Sequence, residues 1–339
     1  NKYYMHDVVN KNIIVIKPTN VYIDDRILFS NISLCKNKIV LTTMHYKINN
    51  WNLDDIHISI NNCKIINKTI YDNDDNYESS TAIIIEIDTI PHNVCLKIAY
   101  KDTYNFYFYL EQLNIIDHNI SAMTLFKDDY FLLERYLKYY GDLGVEVFYI
   151  YYNKKIDTIL LEDISNMNKF NMKIYLVEWD YPYWWKDTMI PKYHFSQTMA
   201  INDSLNILKN YSNYCLYNDL DEYIILNETT TNFKELIELN QETDIFVFKN
   251  QFCKMGDNLI KYNDFNNIFD LSIIIKGLYY DQFREKNLIK LKSVNVMGVH
   301  KAFKNFSDNQ LNEKTISNFY HIVNFEEKNR ENLMNEYVY

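Results

Sequence analysis

The sequence predicts an α/β protein: a domain on a mostly parallel sheet (residues 116–325), an all-β sandwich-like domain before it (residues 1–115), and a charged C-terminal helix (residues 326–339). Three observations carry this expectation. Short β-branched and aromatic runs separated by polar clusters fill the first third. From residue 116 onward, strand-like runs alternate with helical periodicity. With 339 residues, of which 47% are hydrophobic and 24% charged, the chain is long enough for two cores.

In the first third, Ile13–Ile16, Lys38–Leu41, Ile56–Ile60, Ala82–Ile87, Val94–Ile98 and Tyr104–Tyr109 read as strands. Their spacing, with polar stretches such as Tyr71–Ser80 between them, suggests an antiparallel sandwich. Its histidines, His6, His45, His57 and His92, are isolated and read as surface or packing residues. Next comes a strand at Ile120–Phe126, then a helix over Phe131–Tyr140 with Leu132, Leu133, Tyr136, Leu137 and Tyr140 on one face. Asp129 is available as its N-cap, and Gly141 and Gly144 stop it. With the strand Val145–Tyr152 this makes a βαβ unit, which implies a parallel pair. A helix over Thr158–Met167, a strand over Met172–Trp179 and a helix over Phe195–Tyr211, capped near Ser196, continue the alternation. Then come the strand Tyr214–Leu226, a short helix at Asn232–Asn240 and a strand at Asp244–Phe252. The irregular stretch Cys253–Gly277 reads as a lid or acceptor loop, and Arg284–Lys292 as a cation-rich strand.

Composition excludes several classes. A net charge of −10 leaves no basic stripe for nucleic acid. The five cysteines (Cys35, Cys63, Cys95, Cys215, Cys253) are dispersed and odd in number, without a C-x-x-C, so neither zinc nor a disulfide framework is favoured. They lean towards a reducing cytoplasm. The compartment stays open, because the chain begins at Asn1 and a signal or anchor could have been removed. No apolar run approaches the ~18 residues of a membrane helix, so no transmembrane segment is expected in this chain, and peripheral membrane association stays open. Sequons such as Asn31–Ser33 and Asn67–Thr69 arise by chance in an Asn-rich chain. With only 5 glycines, at 141, 144, 256, 277 and 298, neither G-x-G-x-x-G nor a P-loop can be spelled. A nucleotide would have to be held by metal and cationic side chains.

Asp219-Leu220-Asp221 is the chemically suggestive spacing. Two acids one residue apart on a strand end point to the same side and offer hard oxygen ligands for Mg²⁺ or Mn²⁺. A bare D-x-D is more often an acidic turn. Its place at the carboxyl end of a strand in a parallel sheet, where open α/β folds bind ligands, favours the site.

An ordered set of fragments resembles glycosyltransferase family 92 and related family-2-like enzymes over roughly residues 120–325. These are Thr124-Leu-Phe-Lys-Asp-Asp129 with Glu134–Val145, Phe148-Tyr-Ile-Tyr-Tyr-Asn153, and Gln197 with Asn202-Asp203. Asp219-Leu-Asp-Glu-Tyr223, Arg284-Glu-Lys286, Gly298-Val-His300 and Tyr320-His321 follow in the family's order. Departures mark a divergent member: Tyr152 stands for a usual Asp, Tyr136 and Tyr140 for Trp and His, and Ser204 for Cys.

The resemblance implies a Rossmann-like GT-A domain that transfers a hexose from a nucleotide-diphosphate sugar, most simply a UDP-sugar, to a glycan or other hydroxyl acceptor, with inversion. It implies Mn²⁺ or Mg²⁺ on Asp221, Asp219 shared between metal and ribose, and His300 as a further metal ligand. Arg284 and Lys286 would face the phosphates. Lys127, Asp128 and Asn153 would meet the base and ribose, Gln197 would add a nucleotide contact, and Glu222 would support the loop. Asp257 and Glu285 are the candidates for the base that inversion needs. Tyr183, Trp184 and Trp185 either stack on a sugar or form a core cluster. The alternative function is a catalytically inactive glycan-binding or scaffold protein, motivated by Tyr152 and the lost Cys.

Overall fold

The computed structural model describes residues 6–44, 51–73, 78–184, 194–280, 284–303 and 310–335. Trp185 and His45 lie outside them. An 11-stranded sheet organises the chain. Its parallel heart runs Ile13–Ile16, Lys173–Glu178, Val147–Tyr152, His118–Phe126, Ser212–Tyr217. Lys286–Lys290 then pairs antiparallel with Ser212–Tyr217, followed by Ile245–Met255, Glu313–Ile322 and Glu222–Ile224. Central strands are buried on both faces, as Val147–Tyr152 is throughout, because helices cover them.

Helices Leu133–Asp142, Thr158–Met167 and Phe233–Leu239 pack on one face. On the other lies Phe195–Leu208, buried at every position but Gln197. It is wedged between the large sheet and the amino-terminal strands, so it has no solvent face and no simple apolar stripe. Two caps differ from expectation. Asp129 spends its carboxylate on the Lys127 N–H (3.0 Å) rather than on the helix, which starts through a 3-10 turn at Tyr130–Leu132. Ser196 is inside its helix, and its Oγ accepts from Asn153 Nδ2 (2.9 Å). Gly144, at φ +100°, is the residue that ends the first helix.

The amino-terminal third forms separate antiparallel sheets around one apolar core. One orders Asn31–Cys35, Lys38–Thr43, Ser80–Ile87, Ile65–Asn73; another orders Tyr104–Glu111, Asn93–Tyr100, Ile56–Asn61. The boundary expected at residue 1 shifts, since His6–Asn10 and Ile13–Ile16 join the edge of the large sheet. Four consecutive buried residues at Ile13–Ile16 suit a strand covered on both faces, not a half-exposed sandwich strand. Asn31 is no glycan acceptor in this fold: it is buried, and its Nδ2 donates to both Asp203 carboxylate oxygens (3.1 and 3.0 Å).

Two further expectations change. Cys253–Gly277 is ordered rather than a free lid. It continues the strand to Met255, then forms short helical turns at Tyr262–Asp264 and Phe265–Ile268, whose Phe265 packs against Tyr223 and Phe269. It returns as the strand Ile274–Tyr280, antiparallel to Ile245–Met255. Nor do the described residues of the expected C-terminal helix, 326–335, form one; residues 336–339 lie outside the described residues. The Arg330 N–H donates to Val323 O (2.9 Å) and Asn324 bridges Asn329, so the chain turns back, leaving only a 3-10 turn at Glu331–Asn335. These backbone bonds replace the i to i−4 ladder a helix would need.

Candidate functional site

The strand Ser212–Tyr217 runs into Asn218 and Asp219 at the carboxyl end of the parallel strands, and Glu222–Ile224 leaves antiparallel to Glu313–Ile322. Register sets the site: Glu222 pairs with His321, which brings that imidazole beside both buried acids. His321 Nε2 lies 3.5 Å from Asp221 Oδ2, and its Nδ1 lies 3.6 Å from Glu222 Oε1. The turn is braced from below. Tyr136 O–H donates to Asn218 Oδ1 (2.8 Å), Tyr140 O–H donates to Glu222 O (2.7 Å), and Tyr139 O–H donates to Ile224 O (2.7 Å). The tyrosines at 136 and 140 are thus the floor of the acidic turn.

Cations complete it. Lys286, buried in its strand, sits 2.9 Å from Asp219 Oδ2 and 3.2 Å from Glu222 Oε2. Arg330 Nη2 donates to Asp221 Oδ2 (2.7 Å) and lies 2.7 Å from His321 Nε2. Burial alone would raise the Asp221 carboxyl, but His321, Arg330 and Lys328 hold it well below the usual carboxylate range. Burial keeps the His321 ring below its ordinary value despite Asp221, and the guanidinium N–H facing Nε2 fits a neutral imidazole. Where that ring is neutral, the charge left beside Asp221 is that of Arg330 and Lys328. Asp219 is lowered too: burial raises it, and Lys286 outweighs burial. Glu222, the third acid, is raised to about 8 by burial, with Asp219 and Asp221 adding to it and Lys286 opposing. Its ion pair with Lys286 is the weaker one, because the ammonium serves the ionised Asp219 at shorter range. Burial disfavours the Lys286 ammonium, yet Asp219 and Glu222 lift its pKa above the ordinary lysine value.

The model of glycosyltransferase family 92 matches residues 120–338, most of the chain. The chain belongs to glycosyltransferase family 92. It carries a glycosyltransferase domain, and with it the need for a sugar donor and a glycan acceptor. No curated protein matches the sequence. Among solved structures, the crystal structure of HddC from Yersinia pseudotuberculosis is similar at 11% identity and a TM-score of 0.37, covering 62% of this chain and 96% of that one. Among the described residues, no helix of this family 92 chain is long and apolar enough to cross a membrane.

The residues singled out in the sequence divide into groups. Asp219, Asp221 and Lys286 meet at the acidic turn. His300 adjoins them: Lys286 and Asp219 act on its ring, and burial, then the Lys286 charge, push it down to about 3. It stands on the Asp219 side, whereas the atoms that lie within 4.8 Å of one another belong to Asp221, Glu222 and His321. Gln197 lines a cleft with Thr124, Asn218, Asp219, Lys286 and Val299, and its Oε1 accepts from Tyr183 O–H (2.7 Å). Trp184 packs edgewise on Tyr183 and close to His194, and is partly exposed.

Others are placed elsewhere or otherwise engaged. Asn153 is buried, and its Nδ2 is spent on Trp179 O (2.8 Å), Tyr181 O (2.7 Å) and Ser196 Oγ (2.9 Å). Lys127 is exposed, and Asp128 pairs with Lys154. The Arg284 guanidinium lies over the Phe252 ring (5.4 Å), and its charge, with that of Lys286, acts on the His300 ring. Asp257 is exposed on the turn made by Gly256 at φ +73°, and Glu285 immediately precedes Lys286.

Sequence reasoning missed Arg330 and cast Glu222 and His321 in lesser roles. Only the final Tyr-His fragment signalled His321. It also missed how the loop bearing His300 is held. Asn202 bonds both Met297 N (3.0 Å) and Met297 O (2.8 Å), Asn287 Nδ2 donates to His300 O (2.9 Å), and Glu78 Oε2 accepts from Val299 N–H (2.9 Å). A Cβ on Gly298 would sit 2.0 Å from that Glu78 oxygen, so a larger residue there would push the Glu78 carboxylate aside.

Proposed function

We propose that this chain is a metal-dependent GT-A glycosyltransferase that uses a nucleotide-diphosphate sugar, a UDP-sugar most simply, and transfers the hexose to a glycan hydroxyl with inversion in glycan biosynthesis. The observation that carries the reading is the convergence of Asp219, Asp221, Glu222, His321 and Lys286 at the carboxyl end of a parallel strand. The donor set fits Mn²⁺ or Mg²⁺: two carboxylates and an imidazole come together, and His321 Nδ1 is buried without a hydrogen-bond partner among the described residues. Asp221, Glu222 and His321 would hold the ion, with Asp219 towards the ribose, and the ion would supply positive charge for the departing diphosphate.

The chain's own contribution follows from its electrostatics. Lys286 is fixed as a cation between Asp219 and Glu222, so it can meet diphosphate oxygens without rearranging. His300 stays neutral, and its Nδ1 has no partner among the described residues, which suits a hydrogen bond to the donor. Gln197 lines the cleft, Tyr183 bonds to it and Trp184 packs on Tyr183, so an aromatic face that suits a sugar adjoins the cleft. For the base, Glu285→Gln and Asp257→Asn separate the two candidates by which one abolishes transfer while donor binding persists. Calorimetric titration of UDP with and without Mn²⁺ tests the whole reading. Binding that depends on Mn²⁺ and is lost in Asp221→Ala supports it; no binding under either condition refutes it.

A further inference from the structure

The acidic turn already contains a cation. Arg330 comes from a segment 109 residues away in sequence, and one nitrogen, Nη2, touches both Asp221 Oδ2 and His321 Nε2 at 2.7 Å. Those two atoms are only 3.5 Å apart, and both belong to residues of the donor set that would hold a divalent ion. An arginine N–H and a metal ion make the same demand on a carboxylate and on a neutral imidazole lone pair, so they compete for any of those atoms that both would use.

The segment is fixed on both sides of this contact. Before Arg330, Glu326 N–H donates to Ile260 O (2.8 Å), and the Tyr262 N–H meets the Glu327 carboxylate (3.2 Å). After it, Glu331 pairs with Lys254 (2.7 Å), and Met334 packs against Phe252 and Val323. The Arg330 backbone N–H is itself bonded to Val323 O. The side chain is anchored less firmly: it is 25% exposed, and its Nε is buried without a partner among the described residues. The backbone holds while a long, partly solvated side chain can swing out.

We propose that Arg330 is the resident cation of the acidic turn, and that it competes with the divalent metal for Asp221 and His321, so that metal entry requires only its guanidinium to withdraw. This rests on the metal site proposed above. It gives the tail a specific function: Arg330 sets the metal affinity and keeps Asp221 and His321 paired when the site holds no metal.

Calorimetric titration of MnCl₂ into the full-length wild-type chain, Arg330→Ala, Arg330→Lys and the double variant Arg330→Ala/Asp221→Ala tests it without any turnover. Arg330→Ala should bind Mn²⁺ at least tenfold tighter than wild type, with Arg330→Lys between them and the double variant binding no Mn²⁺. Should Arg330→Ala not fold, Arg330→Gln replaces it, since its amide keeps the side-chain bulk and loses the charge. Equal or weaker binding in the Arg330 variants, with binding still abolished by Asp221→Ala, overturns the competition and leaves the metal site standing. No Mn²⁺ binding by any variant overturns both.

Discussion

Two carboxylate sites, one a cluster and one a single buried Asp, solve the same physical problem in opposite ways. At the acidic turn, Asp219 and Asp221 are held ionised by Lys286, Arg330 and Lys328. Sixteen residues earlier, Asp203 is completely buried among neutral donors: Asn31 Nδ2, Thr42 Oγ1 (3.0 Å) and Tyr151 O–H (2.8 Å). Burial raises its carboxyl to about 6, and those three hydrogen bonds only partly offset the effect. Neutral donors satisfy a carboxylate without supplying charge, so Asp203 is a strut joining the amino-terminal strands to the helix Phe195–Leu208. Cations supply charge that a phosphate can meet and that a metal ion would replace. The pairing of Asp221 with cations rather than with tyrosines is what separates it from Asp203 and supports the proposed site.

Asp221→Ala should sharpen the contrast most. Transfer should fall on the order of 10²–10³-fold, the scale of losing one preorganised electrostatic group. Its unfolding free energy should shift less than that of Asp203→Ala, and denaturant melts beside donor-turnover assays measure both. Lys286→Met leaves Glu222 and Asp219 without their cation and should cost about 3 kcal/mol of stability, the low end for a broken buried pair because Asp219 is partly solvated. A melt unchanged by that substitution would break the comparison. Asp203→Ala strands three buried donors and should cost about 3 kcal/mol while specific activity of the folded fraction survives.

The two sites should also differ in pH response. The folded pKa of Asp203 is raised to about 6 from the ordinary 3.8, so between those values the folded chain keeps a proton that the unfolded chain has released. Its contribution to stability is therefore largest at acid pH and falls as pH rises through the folded value. A shift of that size is worth about 3 kcal/mol. Wild type minus Asp203→Asn, followed by melts from about pH 4 to pH 7, should show that decline; a flat difference would sink the strut's titration. The smallest effect concerns the tyrosine floor. Tyr140→Phe removes the O–H donated to Glu222 O and the oxygen that accepts from Ile224 N–H and Asn218 Nδ2. It should cost about 1–2 kcal/mol, with donor affinity reduced because the acidic turn loosens.

Much of the architecture was legible in advance. The parallel heart followed from strands and helices alternating between residues 120 and 217, and the helix Thr158–Met167 ends where its periodicity does. The glycine shortage ruled out phosphate loops, and the spacing of Asp219 and Asp221 pointed to the acidic turn. Elsewhere local pattern misled: Ile13–Ile16 looked like its sandwich neighbours, and residues 326–335 looked helical because charge and spacing do not reveal a chain reversal.

The sequence by itself determined the alternation of elements, the family and the pair of acids at a strand end, because those are encoded over a few residues by side-chain period and spacing. Only the tertiary structure decided what surrounds the acids. His321 arrives through strand register, Arg330 through a turn 109 residues from Asp221, and Asn31 reaches Asp203 across 172 residues. Charge acts through space, and no local pattern records which distant cation will come to lie 2.7 Å from a carboxylate.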